Sequence, residues 1–118
     1  MVQNKDLVDN QHRKKEIEQE RILLAELKKY GIDPRLKRKE RRDVLKLYYD
    51  ILYAIQEEAS SGEPRPTRVQ FLSNTSYDKL MRYLKDLGKK NMINEKPLSL
   101  TLKGRQFLGD YKKIIEYI

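Results

Sequence analysis

The chain has 118 residues, 38% of them hydrophobic and 37% charged, and carries a formal net charge of +8 at pH 7. That length suits one ordinary domain with a short appendage, and the basic balance points to a polyanionic partner such as nucleic acid or an anionic membrane. Cysteine is absent and His12 is the only histidine, which excludes disulfides, thiolate metal sites and His-based catalysis; no apolar run is long enough to span a bilayer and no export signal opens the chain, so a cytoplasmic protein is expected.

Residues 1–9 have no hydrophobic periodicity and are expected to be loose. From Asn10 to Tyr30 the chain reads as a helix rich in Lys and Glu, with apolar positions at Ile17, Leu23, Leu24 and Leu27. Gly31 suits the left-handed position after its last turn, with Ile32 folding back onto Leu27. Asp33 and Pro34 read as the N-cap and first residue of a second helix that ends near Ala59, making a tight αα-hairpin. Its opening block, residues 35–42, has six positive side chains and one negative. That block suits a solvated helix turn as well as it suits a phosphate-contacting patch, since Glu40 and Asp43 offer intrahelical partners. Val44, Tyr48, Ile51, Leu52, Ile55 and Ala59 form a core stripe, and Leu45, Leu47, Tyr49 and Tyr53 make the other sides apolar too. Such a helix needs cover on more than one side, from its own domain and from the N-terminal helix or a second subunit.

Residues 60–66 are a Ser/Gly/Pro loop. Thr67 and Gln70 have capping-box spacing for a short helix from Arg68 to Leu72. A turn at 73–75 then leads into a helix over 76–90, with Leu80, Leu84 and Leu87 on its inner side. Residues 92–95 and 98–101 alternate apolar with polar and predict a hairpin, although Lys96-Pro97 is not a preferred two-residue turn. The last helix runs from Leu102 to Ile118. Its apolar stripe, Phe107, Leu108, Tyr111, Ile114, Ile115 and Ile118, is wide and reaches the last residue, which favours a dimer seam over purely internal packing.

This order of elements predicts a mainly α fold with a small β-hairpin wing: a winged helix-turn-helix over residues 33–118, with residues 1–32 as an added start and helix. In such a plan the short helix braces the next one, which crosses the major groove of DNA. Residues 64–96 hold eight positive side chains against three negative. Candidate DNA contacts are Ser76, Tyr77, Lys79 and Arg82 as base readers, with Lys79, Arg82 and Lys85 sharing a flank. Lys89 and Lys90 continue the field, Arg68 is positioned for a phosphate, and Lys96 marks the wing tip. Of the eight tyrosines, Tyr48, Tyr53 and Tyr83 are read as core, and Tyr77 as a possible DNA contact. His12 is read as a surface residue. There is no nucleophile–base pair, phosphate loop or carboxylate dyad, so no enzyme, cofactor or metal is expected.

Thr67-Arg68-Val69, the Asn74-x-Ser76-Tyr77 turn, Leu80, Tyr83-Leu84-x-x-Leu87, Met92-Ile93 and Leu100-Thr101-x-x-Gly104 stand in one order across about Val44 to Tyr111. In these motifs the chain resembles small archaeal winged helix-turn-helix DNA-binding proteins of the ArnR-like and chromatin-associated type. The resemblance implies double-stranded DNA as partner, the helix after Asn74 as reader, and homodimerisation through the C-terminal helix. A transcriptional regulator or nucleoid-associated protein is then expected, with a winged-helix protein-interaction module or scaffold subunit as the competing reading. The sequence departs from the pattern at Thr75, where an apolar residue is commoner, at Asn91, where Gly is usual, and in the helix over 10–30.

Overall fold

Before Gly31 the chain has neither glycine nor proline, so nothing local interrupts a helix once it has started. The computed structural model describes the backbone of residues 2–118 and the side chains of residues 13–118. In it one helix, α1, runs over Val2–Lys29, where a loose start through residue 9 was expected. His12 was expected at the surface; its side chain lies outside the described residues. Leu23, Leu27 and Tyr30 turn inward and are buried, while Ile17 and Leu24 face solvent. Side chains 13–22 are all exposed. At ~1.5 Å per residue α1 is roughly 42 Å long, and it stretches the molecule to 65 × 24 × 21 Å.

The end of α1 follows its local signals. Gly31 takes φ +70, the Ile32 amide donates to the Leu27 carbonyl at 2.9 Å and the Gly31 amide donates to Lys28 at 3.1 Å. These are the two bonds of a Schellman stop. The expected start of the second helix is not observed. α2 covers Arg38–Ala59, with Lys37 at the N-cap position and no side-chain cap. Asp33 closes a turn instead: it accepts from the Arg35 amide at 2.9 Å and from the Arg35 guanidinium at 3.1 and 3.2 Å. Arg41 reaches back to the carbonyls of Leu36 and Pro34 at 2.7 and 3.2 Å. The turn satisfies its own polar groups, so the helix begins four residues later than Asp33-Pro34 suggested.

α3 covers Pro66–Ser73 and α4 covers Tyr77–Lys89. The capping box read from Thr67 and Gln70 does not form. Pro66 occupies the first turn, with Arg65 at the N-cap position, because its fixed φ already suits a helix start and moves the boundary upstream. Strands β1, Ile93–Glu95, and β2, Leu98–Leu100, pair antiparallel with Ile93 opposite Leu100 and Glu95 opposite Leu98. The Lys96–Pro97 bond between them is cis. α5 covers Leu102–Glu116, with the Thr101 hydroxyl accepting from the Gly104 amide as N-cap.

The core is formed by one cluster that includes Leu27 of α1 and Tyr30 just after it, Leu45, Ile51 and Ile55 of α2, Val69 of α3, Leu80 and Leu87 of α4, Met92, and Phe107 and Ile114 of α5. Phe107 and Ile114, expected at a dimer seam, are fully buried inside the protomer. α2 packs along α5, with the Tyr48 ring 6.4 Å from that of Phe107, and the end of α1 closes over the same helix. The Tyr30 hydroxyl donates to Asp110 at 2.5 Å, Lys29 pairs with Asp110 at 3.5 Å, and the Tyr30 ring meets Phe107 edge-on at 5.0 Å. Farther along, Leu23 shares a groove with Tyr117 and Ile118, and Arg38 donates to the Ile118 carbonyl at 2.5 Å. Leu108, Tyr111, Ile115 and Ile118 remain half-buried.

Tyr53, read as a core residue, is 46% exposed. It belongs to a tyrosine stack on the α2–α5 seam, with Tyr49 at 5.8 Å from Tyr53 and 4.2 Å from Tyr111.

Candidate nucleic-acid interface

The helix-turn-helix is held by α3, the turn and the first residues of α4. Asn74 takes φ 54, a conformation asparagine tolerates better than most residues. Ser76 caps α4 by accepting from the Lys79 amide at 3.3 Å. Asp78 in the first turn and Lys89 in the last suit the helix dipole. At the far end Asn91 takes φ 61, and the Met92 amide donates to the Leu87 carbonyl at 3.0 Å. Asparagine thus does here what glycine does after α1.

At about 100° per residue, the sides of α4 have distinct neighbours. Leu80, Leu84 and Leu87 face the core. Arg82 and Lys89 lie opposite them and are exposed. Lys79 and Tyr83 line a groove with Asp43 and Asp50 of α2. Met81 and Lys85 face the hairpin. Lys79, Arg82 and Lys85 therefore fan over roughly 120° of the outer surface, with Arg82 central and the two lysines at its margins. All three are exposed, as are Lys89 and, at the hairpin turn, Lys96. Tyr77, at the first position of α4, is 47% exposed.

Two of the expected cationic contacts are engaged within the protein. The Arg68 Nε donates to Glu58 at 2.8 Å, and the Glu58 side chain is only 13% exposed. Arg68 is therefore partly neutralised by a carboxylate it shields. Lys90 departs further from expectation. Its ammonium donates to Asp86 at 2.8 Å and to the Tyr48 hydroxyl at 2.9 Å, and that hydroxyl donates to Asp86 in turn. The Lys90 stem also lies against Gly31, 3.2 Å from where a Cβ would stand. Lys90 thus pins α4 to α2 and to the turn after α1, and it does not extend the free positive face. Replacing Lys90 with Ala should cost about 1 kcal/mol in urea denaturation.

The same cluster sets a pH limit. Burial raises Asp86, but the hydrogen bonds from Lys90 and Tyr48 outweigh it and hold the carboxyl below its ordinary range. Burial, reinforced by Asp86, pushes the Tyr48 hydroxyl well above its ordinary value, and burial with Asp110 does the same to Tyr30. A tyrosine whose folded pKa is raised supports the fold fully below its unfolded pKa, about 10, and that support is lost as pH rises towards the folded value. Stability measured by urea denaturation should therefore fall above about pH 10, and Tyr48→Phe should flatten that fall. An equally steep decline in the variant would assign the effect elsewhere.

The sequence reading missed two features. The carboxylates that neutralise Arg68 and Lys90 were overlooked, although Asp86 and Lys90 stand at the four-residue spacing of a helical ion pair. The second is a cleft between α4 and the hairpin, assembled from three separated segments.

A family model described as winged helix-turn-helix matches residues 41–118. The match leaves α1 and the first residues of α2 outside it. No curated protein and no solved structure matches the chain.

Proposed function

Since the chain belongs to the winged helix-turn-helix family, we propose that it binds double-stranded DNA, with α4 in the major groove and the hairpin on the adjacent backbone. In this reading it is a non-catalytic, cytoplasmic regulator or nucleoid-associated protein. The observation that carries the reading is the outer face of α4: Arg82, Lys85 and Lys89 are exposed and make no ion pair among the described residues. Lys96 adds a fourth cation from the hairpin. Phosphate contacts from these groups give most of the affinity and make it salt-dependent, while Ser76, Tyr77, Lys79 and Arg82 are the candidates for reading base edges. No helix among the described residues is long and apolar enough to cross a membrane.

The test is titration of a mixed-sequence duplex over a series of salt concentrations. A linear fall of log affinity with log salt, with a slope of about −3.6 to −4.5, corresponds to four to five released counterions. Absence of duplex binding at low salt would favour the competing reading, a protein-interaction module.

A homodimer is also part of the proposal, with its seam moved. Phe107 and Ile114 belong to the protomer core, so the surface left on α5 is Leu108, Tyr111 and Ile115, continued by Tyr49 and Tyr53. Sedimentation equilibrium of the wild type and of Tyr53→Glu reads this directly. The variant should shift the chain towards monomer.

A further inference from the structure

The cleft between α4 and the hairpin has a volume of about 1030 Å³ and is lined by more apolar than polar surface. Pro64, Leu84 and Leu98 form its floor and are themselves nearly covered. Met81, Pro66 and Pro97 supply the accessible apolar walls. Three of these six residues are prolines, whose fixed φ lets the walls hold their shape without an ordering cost on binding. Lys85 reaches the mouth from α4 and Lys96 from the hairpin, both exposed and without an ion-pair partner among the described residues. Two carboxylates also line the site. That of Glu95 is laid against Gly88, with its Oε2 3.3 Å from where a Cβ would stand, which draws it towards the end of α4. Glu63 is the other, and it stands on the loop side.

A DNA phosphate can use the two ammonium groups at the rim, but the apolar floor offers it nothing. The floor suits a ligand with an apolar body, and the two lysines suit a single negative charge on that body. We infer that this cleft binds a small amphipathic monoanion, a ring-sized apolar group carrying one carboxylate or equivalent. Occupancy takes Lys85 and Lys96 away from phosphate and lowers affinity for DNA. The regulatory half of the inference rests on the DNA-binding reading, and the binding half does not.

The chain holds three methionines, Met1, Met81 and Met92, which makes the site directly observable. Met81 lines the cleft, whereas Met92 is completely buried in the core. In the full chain labelled at the methionine methyls, 1-naphthoate should shift the Met81 resonance saturably and leave Met92 in place. Lys85→Gln and Lys96→Gln should each weaken naphthoate several-fold, and the cation 1-naphthylmethylammonium should bind several-fold more weakly than naphthoate. An unmoved Met81, a Met92 shift as large as that of Met81, or equal binding of the cation overturns the site. Saturating naphthoate should also raise the dissociation constant for duplex several-fold, and an unchanged constant overturns the regulatory half. Duplex binding with an unmoved Met81 sinks this inference and leaves the DNA-binding reading standing. Saturation at Met81 without duplex binding supports the site and removes the DNA-binding reading.

Discussion

Charge reversal at Arg82 is expected to weaken duplex binding at least tenfold at about 0.1 M salt and to flatten the salt dependence by about one to two counterions. Arg82 stands opposite Leu80, Leu84 and Leu87 on α4, is exposed, and forms no ion pair among the described residues. Nothing in the fold depends on its charge, so Arg82→Glu should unfold at the same urea concentration as the wild type. Arg82→Gln separates two contributions. If Arg82 contacts only phosphate, Gln should weaken all duplexes alike and lower the slope by about one. If it also donates to a guanine edge, Gln should flatten preferences among sequences by about 1–3 kcal/mol at one position. The flanking cations make useful comparisons. Lys90→Ala removes a charge of the same sign one helical turn beyond Asp86, yet that charge is held by Asp86 and Tyr48. A slope that falls equally for Arg82 and Lys90 would contradict the assignment of the outer face.

The features legible in the sequence are those set by a few adjacent residues. Gly31 and Ile32 announced a Schellman stop, and Asn91 could be read as a left-handed closure because the steric demand is local. The same kind of reading failed where two local signals compete. Asp33-Pro34 has the form of a helix start, but Arg35 takes both oxygens of Asp33, and α2 begins only at Arg38, with Arg41 stitching the turn from its first helical turn. Thr67 has the form of a cap, but the proline before it is the better first residue. Distant partners were beyond any local rule. The apolar stripe of α5 was plain, yet only the fold shows that α2, together with Tyr30 80 residues before Asp110, covers it. Likewise Lys90 reads as one more cation until Tyr48, 42 residues away, is seen to hold it. Exposure on the outer side of α4 follows from three leucines at helical spacing, whereas Arg68 and Lys90 are engaged by groups that lie elsewhere in the sequence or on α2.

The most severe single substitution in the hairpin region should be Gly104→Ala. Gly104 lies in the first turn of α5, where a Cβ would stand 2.2 Å from the Met92 carbonyl oxygen. That oxygen cannot swing away, because it accepts from the Thr101 amide at 3.1 Å and its residue is fixed in the core. Thr101 in turn caps Gly104 at 3.1 Å and donates its hydroxyl to Asn91 at 2.6 Å. Either the start of β1 or the first turn of α5 must move, and both carry buried side chains. A loss of about 3 kcal/mol is expected, seen as a fall in melting temperature of roughly 10 °C. The hairpin that bears Lys96 would shift as well, so duplex affinity should drop even where the variant is still folded. Gly109→Ala on the same helix is the control: it is exposed, with nothing within 4 Å of the added carbon. There the better helix former should stabilise by up to about 1 kcal/mol. If both variants melt with the wild type, α5 does not approach the base of the hairpin as closely as the geometry requires. If Gly104→Ala alone collapses, the close approach is what fixes the hairpin to the start of α5.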